Sequence, residues 1–129
     1  MQIDQVDLVL KIRREIQVRL ISSYEKIFSA EILETYIKNQ YLKEIQFYQS
    51  LSEEQKTMLS PLVRQVICDT VSVMFAWLDS SFFIEGQSKE LELRYEGEKD
   101  KLNGNLTDIW WQIEQGLDID ELRKFYNES

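Results

Sequence analysis

The sequence predicts a single, mainly helical domain over residues 1–129. It would have four to six helices around a central apolar helix at 61–78, with a small β-hairpin near 82–95. The first 80 residues contain no glycine and one proline, so few residues there break a helix. Apolar residues in that part recur every three or four positions, whereas clean alternation appears only near residue 90. The chain is 43% apolar and 12% aromatic, enough for a folded core.

The N-terminal part shows the spacing of amphipathic helices. In the first predicted helix, the apolar positions are Val9, Ile12, Ile16, Leu20, Tyr24, Ile27 and Phe28. A second stripe comprises Ile32, Leu33, Tyr36 and Ile37, and a third comprises Tyr41, Leu42, Ile45, Phe47 and Tyr48. Ser52 and Gln55 match a capping box, which predicts another helix start.

Residues 61–78 are the predicted centre of the domain. Ser60 can cap a helix that starts at Pro61, because proline suits the first helical turn. Apolar positions at helical spacing are Leu62, Val63, Val66, Ile67, Val71, Met74, Phe75 and Leu78. Further apolar residues between them spread this character around the cylinder, which is typical of a helix covered on most sides.

The pattern changes near residue 80, dividing the chain into a helical part (about 4–79) and an acidic part (about 80–127). An apolar run at 82–84 and an alternating segment at 90–95 predict the two strands of the hairpin. Asn105 or Thr107 is then expected to cap a helix that ends at Gly116, and a last helix follows through Tyr126.

The net charge of −8 belongs to the C-terminal half. Residues 1–64 contain nine basic and nine acidic side chains, whereas residues 65–129 contain six and fourteen. Nucleic acid and anionic membrane surfaces are therefore not expected as partners, since both require positive charge. A basic protein would be attracted to this half.

The sequence favours a cytoplasmic protein with no membrane span. The longest uncharged run, residues 70–78, is far shorter than the ~20 residues that cross a bilayer. Acidic residues stand where a signal peptide would carry its positive charge. The single cysteine, Cys68, excludes an internal disulfide and agrees with a reducing compartment.

Catalytic chemistry is poorly represented. The chain has no histidine, and Cys68 lies inside a predicted apolar helix without a base beside it. No glycine-rich phosphate loop occurs. We therefore predict no enzyme, no catalytic residue, no cofactor and no metal. The alternative is a carboxylate- or metal-dependent enzyme that uses Glu92, Glu96, Glu98 or Asp100.

The aromatic content of the acidic half suggests binding. Adjacent Trp110 and Trp111 are ~100° apart on a helix, so one of them should lie near the surface. Exposed tryptophan rimmed by acids is typical of a protein-binding hot spot. The predicted partner-binding residues are Asp108, Trp111, Glu114, Asp118, Asp120 and Glu121. In the alternative reading, Trp110 packs on the hairpin and Trp111 on the last helix.

These features predict a small, non-enzymatic, cytoplasmic protein-binding domain. Its size, acidity and expected location fit the profile of an inhibitor or immunity protein that docks a basic partner, although no motif identifies a family. The alternative is a structural or homo-oligomeric subunit that associates through the hairpin edge or the tryptophan pair.

Overall fold

A computed structural model describes residues 3–29 and 35–127, and over these ranges the predicted mainly helical class is confirmed. The helices are α1 (Gln5–Ile12), a π-helical segment (Arg13–Val18), α2 (Arg19–Ser29), α3 (Thr35–Gln40), α4 (Leu42–Ser50), α5 (Glu53–Leu78), α6 (Leu106–Glu114) and α7 (Ile119–Asn127). The predicted stripe at Ile32 and Leu33, and the side chains of Tyr36 and Ile37 in the same stripe, lie outside the described residues.

The chain forms two compact units. Unit 1 joins residues 1–14 to residues 70–129, and unit 2 comprises residues 15–69. The predicted division near residue 80 does not coincide with this boundary, because the N-terminal helix α1 belongs to unit 1. That the whole chain is one domain stays a prediction.

The core of unit 1 is built where α1 meets α6 and α7. Its buried apolar side chains come from all three helices, from the end of α5 and from the segment before α6. They are Val6, Val9, Phe75, Leu102, Leu106, Ile109, Trp110 and Leu122. Arg123 of α7 also pairs with Asp7 of α1 at 2.8 Å, between Nη1 and Oδ1. The N-terminal helix is thus tied to the C-terminal end of the chain.

Unit 2 has a smaller core, where α2 packs against α4. Its buried residues are Gln17, Ile21, Ile45 and Ile67. Aromatic rings extend this core toward the surface. The rings of Phe28 and Tyr48 stack with centroids 5.5 Å apart, and Tyr24 contacts Phe28 at 5.9 Å.

Helix α5 is longer and less buried than the sequence predicts. It starts at Glu53, and the capping box is confirmed by the Ser52 amide donating to Gln55 Oε1 and the Gln55 amide donating to Ser52 Oγ. The expected start at Pro61 is wrong, since that proline lies inside the helix. Ile67 and Phe75 are its buried apolar residues, so a helix covered on most sides is also wrong. The physical reason is that α5 faces α2 and α4 through the side that carries Leu59 and Val63, whereas Leu62 and Val66 on the neighbouring side are exposed.

Among the described residues, α5 is the one helix that by length and composition could cross a membrane. Its most apolar 18-residue window has a mean hydropathy of 1.3 and is 11% buried. The length of the longest uncharged run did not indicate this helix, because an 18-residue segment with one or two charged residues can still be apolar enough to cross a membrane. One such helix is a weak indication, which core helices also give, and a cytoplasmic location stays a prediction.

The predicted β-hairpin near 82–95 is wrong, because the described residues contain no strand. The alternation itself is real, since Leu91 and Leu93 are half-buried while Glu90 and Glu92 are exposed. Their backbone amides, however, donate to side chains, while the Leu93 carbonyl accepts from the Leu102 amide at 2.7 Å. The Leu91 amide donates to Ser80 Oγ and the Leu93 amide to the side chain of Asn103, both at 2.9 Å. Side-chain acceptors therefore replace the partner strand.

Asn103 is the centre of this irregular segment. It is 1% exposed and accepts from Leu93 through Oδ1, while Nδ2 donates to the carbonyls of Leu78 and Leu91. One buried amide thus connects the end of α5 to two points of the extended segment. This arrangement positions the chain that leads into α6.

Candidate protein-binding surface

Helix α6 is held in place by a residue from outside it. Asp79, directly after α5, accepts from the amides of Gly104 and Leu106 through Oδ1, at 2.7 and 3.1 Å. Its Oδ2 accepts from the Thr107 amide at 2.8 Å. Asn105 is at the N-cap position of α6, as expected, but its side chain makes no capping hydrogen bond. Asp79 supplies both the acceptor atoms and the negative charge that a helix N-terminus favours.

The two faces of α6 differ sharply. Leu106, Ile109 and Trp110 are buried in unit 1, whereas Trp111 is 53% exposed. The two indole rings meet edge to face, with centroids 5.3 Å apart. The expectation that one tryptophan lies near the surface is thus confirmed. Asp108 is also exposed and stands three residues before Trp111, so the two share the outer face of α6.

The turn between α6 and α7 explains the position of Asp118. Gly116 adopts a φ of +83°, and the Leu117 amide donates to Gln112 O at 3.0 Å, which closes α6. Asp118 then accepts from the amides of Asp120 and Glu121 through Oδ1, at 2.8 and 3.2 Å. Asp118 therefore caps α7 in addition to contributing exposed negative charge.

Glu114 departs from its predicted role. Its Oε1 lies 2.7 Å from Arg13 Nε, and the two side chains are 24% and 31% exposed. This charge is engaged within unit 1 and contributes little to a docking surface. Asp120 and Glu121, in contrast, are exposed in the first turn of α7.

Two apolar residues of this region were missed by the sequence analysis. Leu117 is 47% exposed in the α6–α7 turn, and Phe125 of α7 is 74% exposed. The Phe125 ring meets Tyr126 edge to face at 4.9 Å. Like Trp110 and Trp111, these two neighbours are ~100° apart on a helix, so adjacency alone predicts that one of the two rings is exposed.

Tyr126 is the member of that pair that packs inward. Its hydroxyl accepts a hydrogen bond from Gln112 Nε2 at 3.1 Å. Burial raises the pKa of Tyr126 above its usual value. The Gln112 hydrogen bond acts in the opposite direction, and the negative charge of Asp108 adds to the increase. These interactions fix α7 against α6, so Trp111 and Phe125 are carried by a connected pair of helices.

The four carboxylates of the alternative enzyme hypothesis, Glu92, Glu96, Glu98 and Asp100, are all exposed. Glu92 pairs with Arg94 at 3.0 Å. Glu98 and Asp100 do line one open cleft of about 440 Å³, together with Asp4. Within the described ranges, however, no group of three or more acidic or cysteine side chains is placed to hold a metal ion.

No protein-family model matches this chain, and neither the curated proteins nor the solved structures include a significantly similar one.

Proposed function

We propose that this protein is a small, non-enzymatic, cytoplasmic binding domain that docks a basic protein through one surface of unit 1. This surface, called the α6–α7 surface below, comprises Asp108, Trp111, Leu117, Asp118, Asp120, Glu121 and Phe125. The observation that carries the proposal is the exposure of Trp111 and Phe125 on two helices that contribute Ile109, Trp110 and Leu122 to the core of unit 1. An inhibitor or immunity-type role fits this mode of action.

The chemistry of the surface favours a basic partner. Large exposed aromatic side chains provide apolar contact area, and tryptophan is enriched among residues that dominate binding energy. Unit 1 contains nine basic and fifteen acidic side chains, a net charge of −6. Such a field accelerates association with a positively charged protein and repels an acidic one.

The residues of the surface have separable roles in this proposal. Trp111 is the anchor, and its removal is expected to cost about 2 kcal/mol or more of binding free energy, mostly through faster dissociation. Asp120 and Glu121 act as steering charges. Their neutralisation should mainly slow association and reduce the dependence of the association rate on salt.

Affinity capture from the native cell lysate, followed by calorimetry with the captured protein, tests the proposal. Trp111→Ala should lower the affinity by at least ~30-fold, which corresponds to about 2 kcal/mol. Phe82→Ala is a matched control, because Phe82 is 41% exposed in unit 1 but lies outside the α6–α7 surface. A folded Trp111→Ala variant that binds as tightly as the wild type would falsify the proposal.

A further inference from the structure

Unit 2 contains an apolar groove between α2, α4 and α5. Its volume is about 320 Å³, and its lining comprises Phe28, Phe47, Tyr48, Leu59 and Val63, with Lys43 and Glu44 also contributing. Phe47, one of these lining residues, is 61% exposed.

The apolar surface continues from the groove onto α5. Met58, Leu62 and Val66 recur every four residues and are 71%, 59% and 58% exposed. At ~100° per residue, this stripe and the groove residues Leu59 and Val63 together cover roughly 140° of the helix circumference. A contiguous exposed apolar area of this kind usually marks an interaction site. The groove and the stripe are together called the unit 2 apolar face.

We propose that the unit 2 apolar face is a homodimer interface, occupied by the same face of a second copy of the chain. A two-fold dimer needs a surface that is complementary to itself. This face offers two strongly exposed side chains, Phe47 in the wall of the groove and Met58 on the stripe, and the groove can receive such side chains from the other copy. The predicted hairpin edge is absent from the described residues, and the proposed interface does not involve the tryptophan pair.

The charge distribution favours self-association through unit 2. Unit 2 contains six basic and eight acidic side chains, a net charge of −2, against −6 for unit 1. Like charges repel across an interface, so the less charged unit is better suited to pair with itself. Charges of both signs lie on or beside the face, since Lys43 is next to Glu44 and Lys56 pairs with Glu53 at 3.4 Å. A two-fold arrangement can therefore place basic groups opposite acidic ones.

A second copy fits this face better than a lipid bilayer does. Asp69 lies three residues after Val66 and seven after Leu62, on the same side of α5 as the stripe. Its Oδ1 accepts a hydrogen bond from Gln65 Nε2 at 2.7 Å, so the side of α5 that carries the stripe becomes polar at Asp69. A carboxylate within a membrane costs about 2.5–3.5 kcal/mol, whereas the rim of a protein interface is polar and wet.

Sedimentation velocity of the whole chain, from low to high micromolar concentration, tests the proposal. The wild type should show a concentration-dependent monomer–dimer equilibrium. Phe47→Glu should weaken dimerisation by at least ~30-fold, because it places a charge at the centre of the apolar contact. Leu62→Gln is the second variant, and it should weaken dimerisation in the same direction.

Phe125→Glu is the matched control, because Phe125 is also an exposed phenylalanine (74%, against 61% for Phe47) and lies on a nine-residue helix of unit 1. It should leave the dimer unchanged while impairing the proposed docking of a basic partner, so the two proposals fail independently. A wild type that stays monomeric at all concentrations would overturn the homodimer. So would a dimer that Phe125→Glu disrupts and Phe47→Glu does not, or flotation of the monomer with phosphatidylcholine vesicles.

Discussion

Removal of the Asn103 side chain is the sharpest test of how unit 1 is held together. Asn103→Ala deletes one acceptor, used by the Leu93 amide, and one donor group, used by the carbonyls of Leu78 and Leu91. Each hydrogen bond contributes about 0.5–1.5 kcal/mol net, and a buried group left without a partner costs about 1–3 kcal/mol. Since Leu78, Leu91 and Leu93 are half-buried, water can compensate in part. We expect a total loss of ~3 kcal/mol.

Urea unfolding followed by tryptophan fluorescence measures this loss, because unit 1 contains Trp77, Trp110 and Trp111. The midpoint should fall with little change in the slope. Asn105→Ala is the matched control, since Asn105 is nearby and its side chain caps nothing. It should cost well under 1 kcal/mol by the same measurement.

Asn103→Asp refines the same test. The substitution keeps the size of the side chain but replaces the donating amide with an oxygen that faces two carbonyls. A buried carboxylate in that position is repelled by both, so this variant should be less stable than Asn103→Ala at neutral pH. If both variants unfold within 1 kcal/mol of the wild type, the central role assigned to Asn103 is wrong.

Two further predictions concern α6 and α7. Asp79→Ala should destabilise unit 1 by about 2 kcal/mol, because it removes the hydrogen-bond acceptors that cap α6. Asp100→Ala, at an exposed aspartate, serves as control, and equal urea midpoints for both variants would contradict the capping role. The phenol of Tyr126 should titrate at higher pH than free tyrosine when followed by ultraviolet absorbance, because its pKa is raised chiefly by burial. The corresponding stability is present below the unfolded pKa of about 10 and is lost as the pH rises through the folded pKa. Tyr126→Phe should reduce this loss and leave the part due to Tyr24, whose pKa is also raised by burial. A wild type whose stability is constant through that range would contradict the prediction.

The features that the sequence predicted well are those set by local geometry. The capping box depends on residues three positions apart, and Ser52 and Gln55 form it as expected. The angle between neighbours on a helix does not depend on the tertiary fold, so the different environments of Trp110 and Trp111 followed from their adjacency.

The features that failed depend on contacts between distant residues. An alternating sequence is consistent with a half-buried extended segment. It does not show whether the backbone amides of that segment donate to a neighbouring strand or to side chains. Here the acceptors are the side chains of Ser80 and Asn103, and each is at least ten residues away in sequence from the amide that donates to it. Apolar spacing likewise indicates which residues of α5 favour burial without showing what covers them, and Leu62 and Val66 remain exposed.

These distant contacts bear directly on the candidate surface. Asp79 and Asn103 are polar residues outside any helix, yet together they fix the end of α5, the extended segment and the start of α6. Trp111 lies on the next turn of α6, so its outward orientation depends on the position that Asp79 imposes. A binding side chain held on a firmly positioned helix loses little conformational freedom on docking, which favours affinity. The irregular segment between α5 and α6 therefore contributes to the proposed function by orienting Trp111, even though it lies outside the α6–α7 surface.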